Sequence, residues 1–237
     1  MRNLKAILST MLLVAVATSY SFAQKQTITN KTYSVQPFTI IESNIVGDVI
    51  YTQTNKASVR AEGDKDLVDR LMITEKNGVL KLHFEDEKKT KGKKKLTVYI
   101  SSPNIQQIDV EGVGNWKLEG AVNADNLTIN FKGVGNFEAI NLLSTNINVS
   151  YEGVGNLRLG GIADYLNVLS KGVGNINTQN FKTKKAVVKS EGVGSVKCYA
   201  SESISLNNSG VGSITYYGNP VVTNLNNSGI GKIKAGK

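Results

Sequence analysis

Two groups of residues in this sequence have side chains that could bind a ligand. Residues 88–95 hold six lysines in eight positions, and this density of positive charge attracts anions without a shaped pocket. Tyr199 and Tyr217 fall on the outward side of predicted strands, where they could stack against a sugar ring. A solvated loop that discourages strand pairing is the alternative explanation of the lysine cluster. The lysines of this cluster are Lys88, Lys89, Lys91, Lys93, Lys94 and Lys95.

The residue types that catalysis requires do not converge in the sequence. The one histidine, His83, points outward on its predicted strand without a second histidine or a cysteine nearby, so neither a histidine triad nor a zinc site is expected. A β-helix glycosidase or lyase would need clustered carboxylates or a carboxylate-held calcium. Glu111, Glu152 and Glu191 instead alternate with lysines. We therefore expect no enzyme activity, no metal and no cofactor, with a polysaccharide-active β-helix enzyme as the alternative.

A four-residue motif, Gly-Val-Gly-Asn, recurs about every twenty residues in the second half of the chain. Its first copy begins at Gly112, and copies with one or two substitutions continue up to the one that begins at Gly229. Residues four and six positions before and after its first glycine are mostly apolar, while those between them are mostly polar, which is the pattern of a strand. Each repeat is therefore predicted to be a strand, a glycine corner, a second strand and a polar turn. The corner glycines are Gly112, Gly114, Gly133, Gly135, Gly153, Gly155, Gly172, Gly174, Gly192, Gly194, Gly210, Gly212, Gly229 and Gly231.

One repeat of this kind has an apolar face and nothing to bury it against. Stacking the repeats about 4.8 Å apart, each strand hydrogen-bonded to its equivalents, would bury that face in a continuous core. The sequence therefore predicts an all-β protein, a single-stranded parallel β-helix or β-solenoid of about seven rungs of about 20 residues over residues 104–237. The charge immediately before each corner alternates in sign, which favours this register. These residues are Glu111, Lys132, Glu152, Lys171 and Glu191.

The repeats also resemble a known family. The repeated GVGN, strands of the pattern L-x-I-x-x-x-G-V-G and the segment 212–220 (GSITYYGNP) are similar to the bacterial "putative auto-transporter adhesin, head GIN domain" family. The resemblance covers roughly residues 33 to 220. It implies a β-helical secreted or envelope protein of Bacteroidetes-like bacteria. Because the family has no established activity, the resemblance implies no catalytic residues.

The N-terminal part of the chain is predicted to contain a leader and a cap. Residues 1–23 have a basic start, an apolar stretch and a small-x-small site, which are the features of a signal peptide. Export to the periplasm, the outer surface or the medium is expected, with no transmembrane segment after cleavage. Residues 24–103 are predicted to be a β-rich capping region with one short helix capped by Asp64. Segments 79–85 and 95–101 alternate cleanly and are predicted to pair as a hairpin.

Charge, compartment and cysteine content together limit the function. The chain has a formal net charge of +9, but export and the lack of aromatic residues among the lysines argue against nucleic-acid binding. Cys198 falls in an inward column and is predicted to be a buried, inert thiol. We expect an exported, non-catalytic envelope or surface protein, an adhesin-like module whose partner is an anionic glycan or the envelope surface. A purely structural envelope protein is the other alternative, and an oligomer is compatible with either.

Overall fold

Eighteen strands and one helix form in the residues that the computed structural model describes, 27–85 and 94–236. The predicted signal peptide lies outside these residues. The elements are β1 (Ile28–Tyr33), β2 (Ile40–Asn44), β3 (Asp48–Gln53), β4 (Ser58–Asp64), α1 (Lys65–Arg70), β5 (Leu71–Lys76), β6 (Val79–Phe84), β7 (Leu96–Ser102), β8 (Gln107–Val110), β9 (Trp116–Glu119), β10 (Val122–Phe131), β11 (Phe137–Tyr151), β12 (Leu157–Ser170), β13 (Ile176–Ser190), β14 (Val196–Tyr199), β15 (Ser203–Asn208), β16 (Ile214–Tyr217), β17 (Val221–Asn227) and β18 (Ile233–Ala235).

The repeats stack as a parallel β-solenoid, as the sequence predicts. Equivalent strands of successive repeats pair in parallel, so that Ile129, Val149 and Val168 lie side by side in one buried column. The valines at the centres of the corners are joined by parallel bridges from Val113 to Ile230. All seven corners therefore lie in one column, and the predicted fold class and register are confirmed.

Both glycines of each corner are required. The first is required for steric reasons, and the second for steric and conformational reasons. Gly155 has a φ of +136°, a conformation that side chains with a Cβ rarely adopt. At Gly153, whose φ is not in that region, a Cβ would instead approach the carbonyl oxygen of Gly133 in the preceding rung to well inside 3.0 Å. A Cβ at Gly155 would meet the carbonyl oxygen of Gly135 in the same way. The corners can therefore stack only because both positions lack a side chain.

The interior changes character along the solenoid axis. In the earlier repeats the Trp116 and Phe137 rings stack with their centroids 6.5 Å apart, and Phe131 stacks on Tyr151 at 5.6 Å. The inward column two residues before each corner passes from apolar to polar side chains along the chain. In order, its members are Val110, Phe131, Tyr151, Ser170, Ser190, Asn208 and Asn227. The later rungs therefore bury serine and asparagine where the earlier ones bury aromatic rings.

An additional rung precedes the first regular repeat. Strands β2 and β3 pair in parallel with β8 and β9, and Val46 bridges to Val113. The segment 45–48 (IVGD) is therefore a diverged corner that the glycine period does not reveal. Ile45 replaces the first glycine and is buried, with 3% of its surface exposed.

The predicted hairpin of segments 79–85 and 95–101 is wrong. Strand β6 pairs in parallel with β2 and antiparallel with β5, whereas β7 pairs in parallel with β3 and antiparallel with β4. The two strands are the halves of one outer rung and lie on different faces of the solenoid. Their matching alternation therefore reflects burial against the same core and not a pairing between them.

Antiparallel strands and a helix lie beyond that outer rung. Strand β4 covers β7, β1 covers β4, and β5 covers β6, while α1 buries Leu67 and Val68. Asp64 precedes α1 but does not cap it with its side chain, because its Oδ2 accepts a hydrogen bond of 2.6 Å from the backbone N–H of Lys95. At the other end of the described stack, β17 is exposed along its whole length, and Leu225 is 53% exposed.

Candidate functional site

The lysine cluster is only partly within the described residues. Lys88, Lys89, Lys91 and Lys93 lie outside them, while Lys94 and Lys95 lie just before β7. The Nζ of Lys94 is 2.6 Å from Oδ2 of Asp66 in α1, and this ion pair holds the pKa of Asp66 below its usual range. Lys95 is exposed. Lys94 therefore has a structural partner that the sequence pattern did not indicate.

Tyr199 and Tyr217 lie one rung apart, paired through β14 and β16, as their shared column predicts. Both are half-buried. The Nζ of Lys182 lies 3.9 Å from the centroid of the Tyr199 ring, a cation–π contact. The Tyr199 ring also packs close to the backbone of Gly218. Lys182 already covers part of the aromatic surface that a sugar would use, so stacking there would require this lysine to move.

A groove of about 630 Å³ lies on the outer surface of the sheet near its N-terminal end. It crosses five neighbouring strands, in the order β6, β2, β8, β10 and β11, and ends beside the corners. Every second residue of these strands points outward because side chains alternate along a strand. The outward residues that line the groove are all polar: Glu42, Asn44, Lys81, His83, Gln107, Asp109, Glu111, Asn130, Lys132, Ser150 and Glu152.

Hydrogen bonds between neighbouring rungs fix the centre of the groove. Asp109 accepts hydrogen bonds of 2.7 Å from the side-chain amides of both Gln107 and Asn130. One strand away, the Nζ of Lys81 lies 2.7 Å from Oε2 of Glu42. These contacts hold carboxylate, amide and ammonium groups at spacings set by the strand separation of about 4.8 Å. The surface is therefore preorganised, with donors and acceptors of both signs next to each other.

The groove presents fixed hydrogen-bonding groups. Both oxygens of Asp109 accept hydrogen bonds from side-chain amides, which fix the orientation of its carboxylate. His83 is exposed at the end of β6 and pairs in register with Asn44 on β2. Within residues 27–85 and 94–236, no group of three or more His, Cys, Asp and Glu side chains is placed to hold a metal ion. The geometry thus supplies many fixed hydrogen-bonding groups.

Cys198 is completely buried, as predicted. Burial in the apolar core raises the pKa of its thiol to about 12 because the charged thiolate is poorly solvated there. The thiol is therefore protonated at neutral pH and unreactive. It plays a packing role and is no part of a site.

Sequence reasoning missed the groove because its residues come together only through the insertion of β2. The alternation of side chains along each strand identifies Glu42, Lys81 and Asp109 as outward residues. It does not show that β2 lies between β6 and β8. One signal was available in the sequence. The segment 45–48 (IVGD) matches the spacing of GVGN, and aligning it would have placed Glu42 beside Asp109.

Comparison with known proteins places the chain in a family. Residues 37–220 match the family described as "Putative auto-transporter adhesin, head GIN domain". A crystal structure of a "putative adhesin" from Bacteroides fragilis is 35% identical, has a TM-score of 0.86, and aligns over 89% of this chain and 97% of its own. No curated protein sequence matches the chain.

More distant structures share the fold. A "putative adhesin" from Parabacteroides distasonis is 21% identical with a TM-score of 0.71, and a "putative lipid binding protein" from the same species is 20% identical with a TM-score of 0.70. Each aligns over 90% of this chain and 98% of its own. In the described ranges, no helix has the length and apolar character needed to span a membrane. The family match and the Bacteroides fragilis structure together show that the chain belongs to the "Putative auto-transporter adhesin, head GIN domain" family.

Proposed function

We propose that the protein is an exported, non-catalytic binding module of the cell envelope, and that its groove binds an extended glycan. The observation that carries this proposal is the groove itself, which crosses five stacked strands and presents fixed polar groups at each one. Solenoids offer long, repetitive surfaces, which suit a polymer better than a compact small molecule. Membership of a family described as adhesins supports a surface role of this kind.

The chemistry of the lining fits carbohydrate hydroxyl groups. Each hydroxyl group can donate one hydrogen bond and accept others, so it needs acceptors and donors close together. The groove provides the carboxylates of Glu42 and Asp109 beside the ammonium group of Lys81 and the amide of Asn130. A polymer lying across the strands would meet a hydrogen-bonding side chain about every 4.8 Å. In order, these side chains in register are Lys81, Glu42, Asp109, Asn130 and Ser150.

The lining of the groove carries four carboxylates and two lysines, so a preference for an anionic glycan would have to come from the lysine-rich segment. The lysine-rich segment 88–95 follows β6, and β6 carries two lining residues of the groove, Lys81 and His83. An ammonium group attracts anions over about 8 Å at physiological ionic strength. Export by the predicted signal peptide would bring the protein to the acidic polysaccharides and lipid phosphates found outside the cytoplasm.

The test is to incubate the purified protein with an array of neutral and acidic polysaccharides while measuring both retention and cleavage. In the groove variant, Glu42→Ser and Lys81→Ser together remove one exposed ion pair without changing the net charge. The matched control removes the equally exposed pair of Asp164 and Lys184, which lies outside the groove, in the same way. We expect the groove variant to lose at least tenfold in affinity and the control to bind like wild type.

Three outcomes would overturn the proposal. Equal retention by both variants would show that the groove does not bind the glycan. Reproducible cleavage products would show that the protein is a polysaccharide-active enzyme, and variants of Glu111 and Glu152 would then identify its carboxylates. Absence of retention on every polysaccharide would leave the structural-protein alternative in its place.

A further inference from the structure

An exposed apolar ridge runs along the corners of the solenoid. The centre of each corner carries a valine or isoleucine whose side chain points outward, and adjacent rungs join these residues by parallel bridges. Each is between 40% and 73% exposed. Seven steps of about 4.8 Å make the ridge about 34 Å long. This valine ridge consists of Val46, Val113, Val134, Val154, Val173, Val193, Val211 and Ile230.

Two polar columns flank the valine ridge. On one side lies the charged column, one residue before each corner, in which Glu111, Lys132, Glu152, Lys171 and Glu191 alternate in sign. Lys171 Nζ lies 4.0 Å from Glu152 Oε1, so adjacent members are neighbours along the axis. On the other side lies the asparagine column, in which the side-chain oxygens from Asp48 to Asn175, and that of Ser213, each accept a hydrogen bond from the backbone N–H of the next rung. Its members are Asp48, Asn115, Asn136, Asn156, Asn175, Ser195, Ser213 and Lys232.

We infer that the valine ridge is the interface of an antiparallel homodimer, with a two-fold axis perpendicular to the solenoid axis between the rungs of Val154 and Val173. A rotation about such an axis brings each column against its own copy. The charged column then faces the charged column, the ridge faces the ridge, and the asparagine column faces the asparagine column. Closed two-fold dimers are built from self-complementary surfaces of this kind.

Charge fixes the register of this dimer. With the axis between two rungs, every member of the alternating charged column meets a residue of opposite charge or a neutral one. Glu152 meets Lys171 of the second copy, and Lys132 meets Glu191. The asparagine column supplies an independent check, because its two charged members are of opposite sign and stand at opposite ends. In the same register Asp48 meets Lys232 of the second copy, and all eight ridge residues are covered.

Other two-fold arrangements match less well. An axis passing through a rung instead of between two rungs would place Glu152 against itself and Lys132 against Lys171, which are like charges. An axis parallel to the solenoid would place the charged column against the asparagine column, leaving the alternating charges without partners. Moving the axis by one rung would lose the contact between Asp48 and Lys232 and uncover part of the ridge.

The size of the surface fits a reversible dimer. A strip about 34 Å long and three columns wide covers on the order of 600 Å² per copy, or about 1,200 Å² in total. Stable interfaces begin near that total area. We therefore expect association in the micromolar range that depends on protein concentration and weakens with added salt.

The dimer would cover Glu111, Lys132 and Glu152, which line one end of the groove. Sedimentation equilibrium is therefore carried out without any ligand, so that it tests the inference apart from glycan binding. Val154→Lys with Val173→Lys places four lysines around the two-fold axis and should weaken dimerisation at least tenfold. The matched control is Leu143→Lys with Ile162→Lys, since these residues are 54% and 59% exposed and also lie one rung apart, away from the ridge. This control should dimerise like wild type. Equal effects of the two changes, or a wild-type protein that stays monomeric at several hundred micromolar, would overturn the inference.

Two charge reversals test the register directly. Glu152→Lys alone opposes Lys171 of the second copy, and Lys171→Glu alone opposes Glu152, so each variant by itself should be monomeric. Mixing the two variants restores opposite charges in the mixed dimer, which should form with affinity close to that of wild type. Because each variant is folded in its own sample, a failure of the mixture to associate would disprove this register even if folding is slightly weakened. Thermal unfolding of each variant confirms that it is folded.

Discussion

Replacing a single corner glycine should destabilise the protein strongly, although the position is only half-buried. In Gly155→Ala, the new Cβ would overlap the carbonyl oxygen of Gly135, and the backbone φ of +136° would also be strained. The strain costs about 1–3 kcal/mol. Relieving the overlap requires the two rungs to separate at the corner, which weakens the two hydrogen bonds that join them there, from Gly135 N to Val154 O at 2.9 Å and from Val154 N to Gly133 O at 3.0 Å. Each such bond contributes about 1 kcal/mol.

Together these effects give a loss of about 4 kcal/mol in the free energy of unfolding. For a chain of this size that loss lowers the thermal midpoint by about 8–16 °C. The matched control is Gly120→Ala, because Gly120 also has a positive φ of +79° but a Cβ there would have no atom within 4 Å. Strain alone should cost this control about 1 kcal/mol, or a few degrees. Differential scanning calorimetry of both variants measures the difference, and equal midpoints would refute the steric argument for the corner.

Three further predictions concern the lysine segment, the thiol and the asparagine column. Changing Lys89, Lys91 and Lys93 to Ser should weaken retention on acidic glycans at low salt and have little effect at high salt, measured by surface plasmon resonance at two ionic strengths. Cys198, with its pKa raised to about 12, should not react with a thiol reagent at pH 8 until the protein is unfolded with guanidinium, and rapid labelling of the native protein would contradict its burial. Asn156→Ala removes the side-chain hydrogen bonds to Asn136 and Asn175 in the rungs on both sides and should cost about 1 kcal/mol in urea unfolding, whereas no change would mean that water replaces these bonds without loss.

The repeat period was sufficient to predict the solenoid, its register and its inward columns. Each rung repeats the same local signals, and stacking is the arrangement that buries all of them together. Thus Ile129, Val149 and Val168 lie in one buried column, and Cys198 is buried as its position predicts. The valine ridge could also have been derived, since its members are the second residues of the corners.

The N-terminal region could not be predicted as well because its pairings are non-local. Its strands are consecutive in sequence, but β2 and β3 lie between the rung of β6 and β7 and the rung of β8 and β9. Alternation gives the face of each side chain and carries no information about which strand is its neighbour. The groove depends on this order of strands. For the same reason, the partner of Lys94 in α1 was not apparent from the lysine pattern.

The side chains inside the corners change from aromatic to polar along the chain. Under a pulling force, the solenoid should therefore begin to unfold at its C-terminal end. Rungs containing Phe131 and Tyr151 bury much more apolar surface than rungs containing Ser190 and Asn208, so they contribute more to stability. In a stack where each rung contacts only its neighbours, the weaker rungs open first. A pull on the C-terminal side would therefore peel off one rung at a time, each releasing roughly 60 Å of extended chain. Under tension the protein would lengthen at its C-terminal end, while the groove near the N-terminal end keeps its shape.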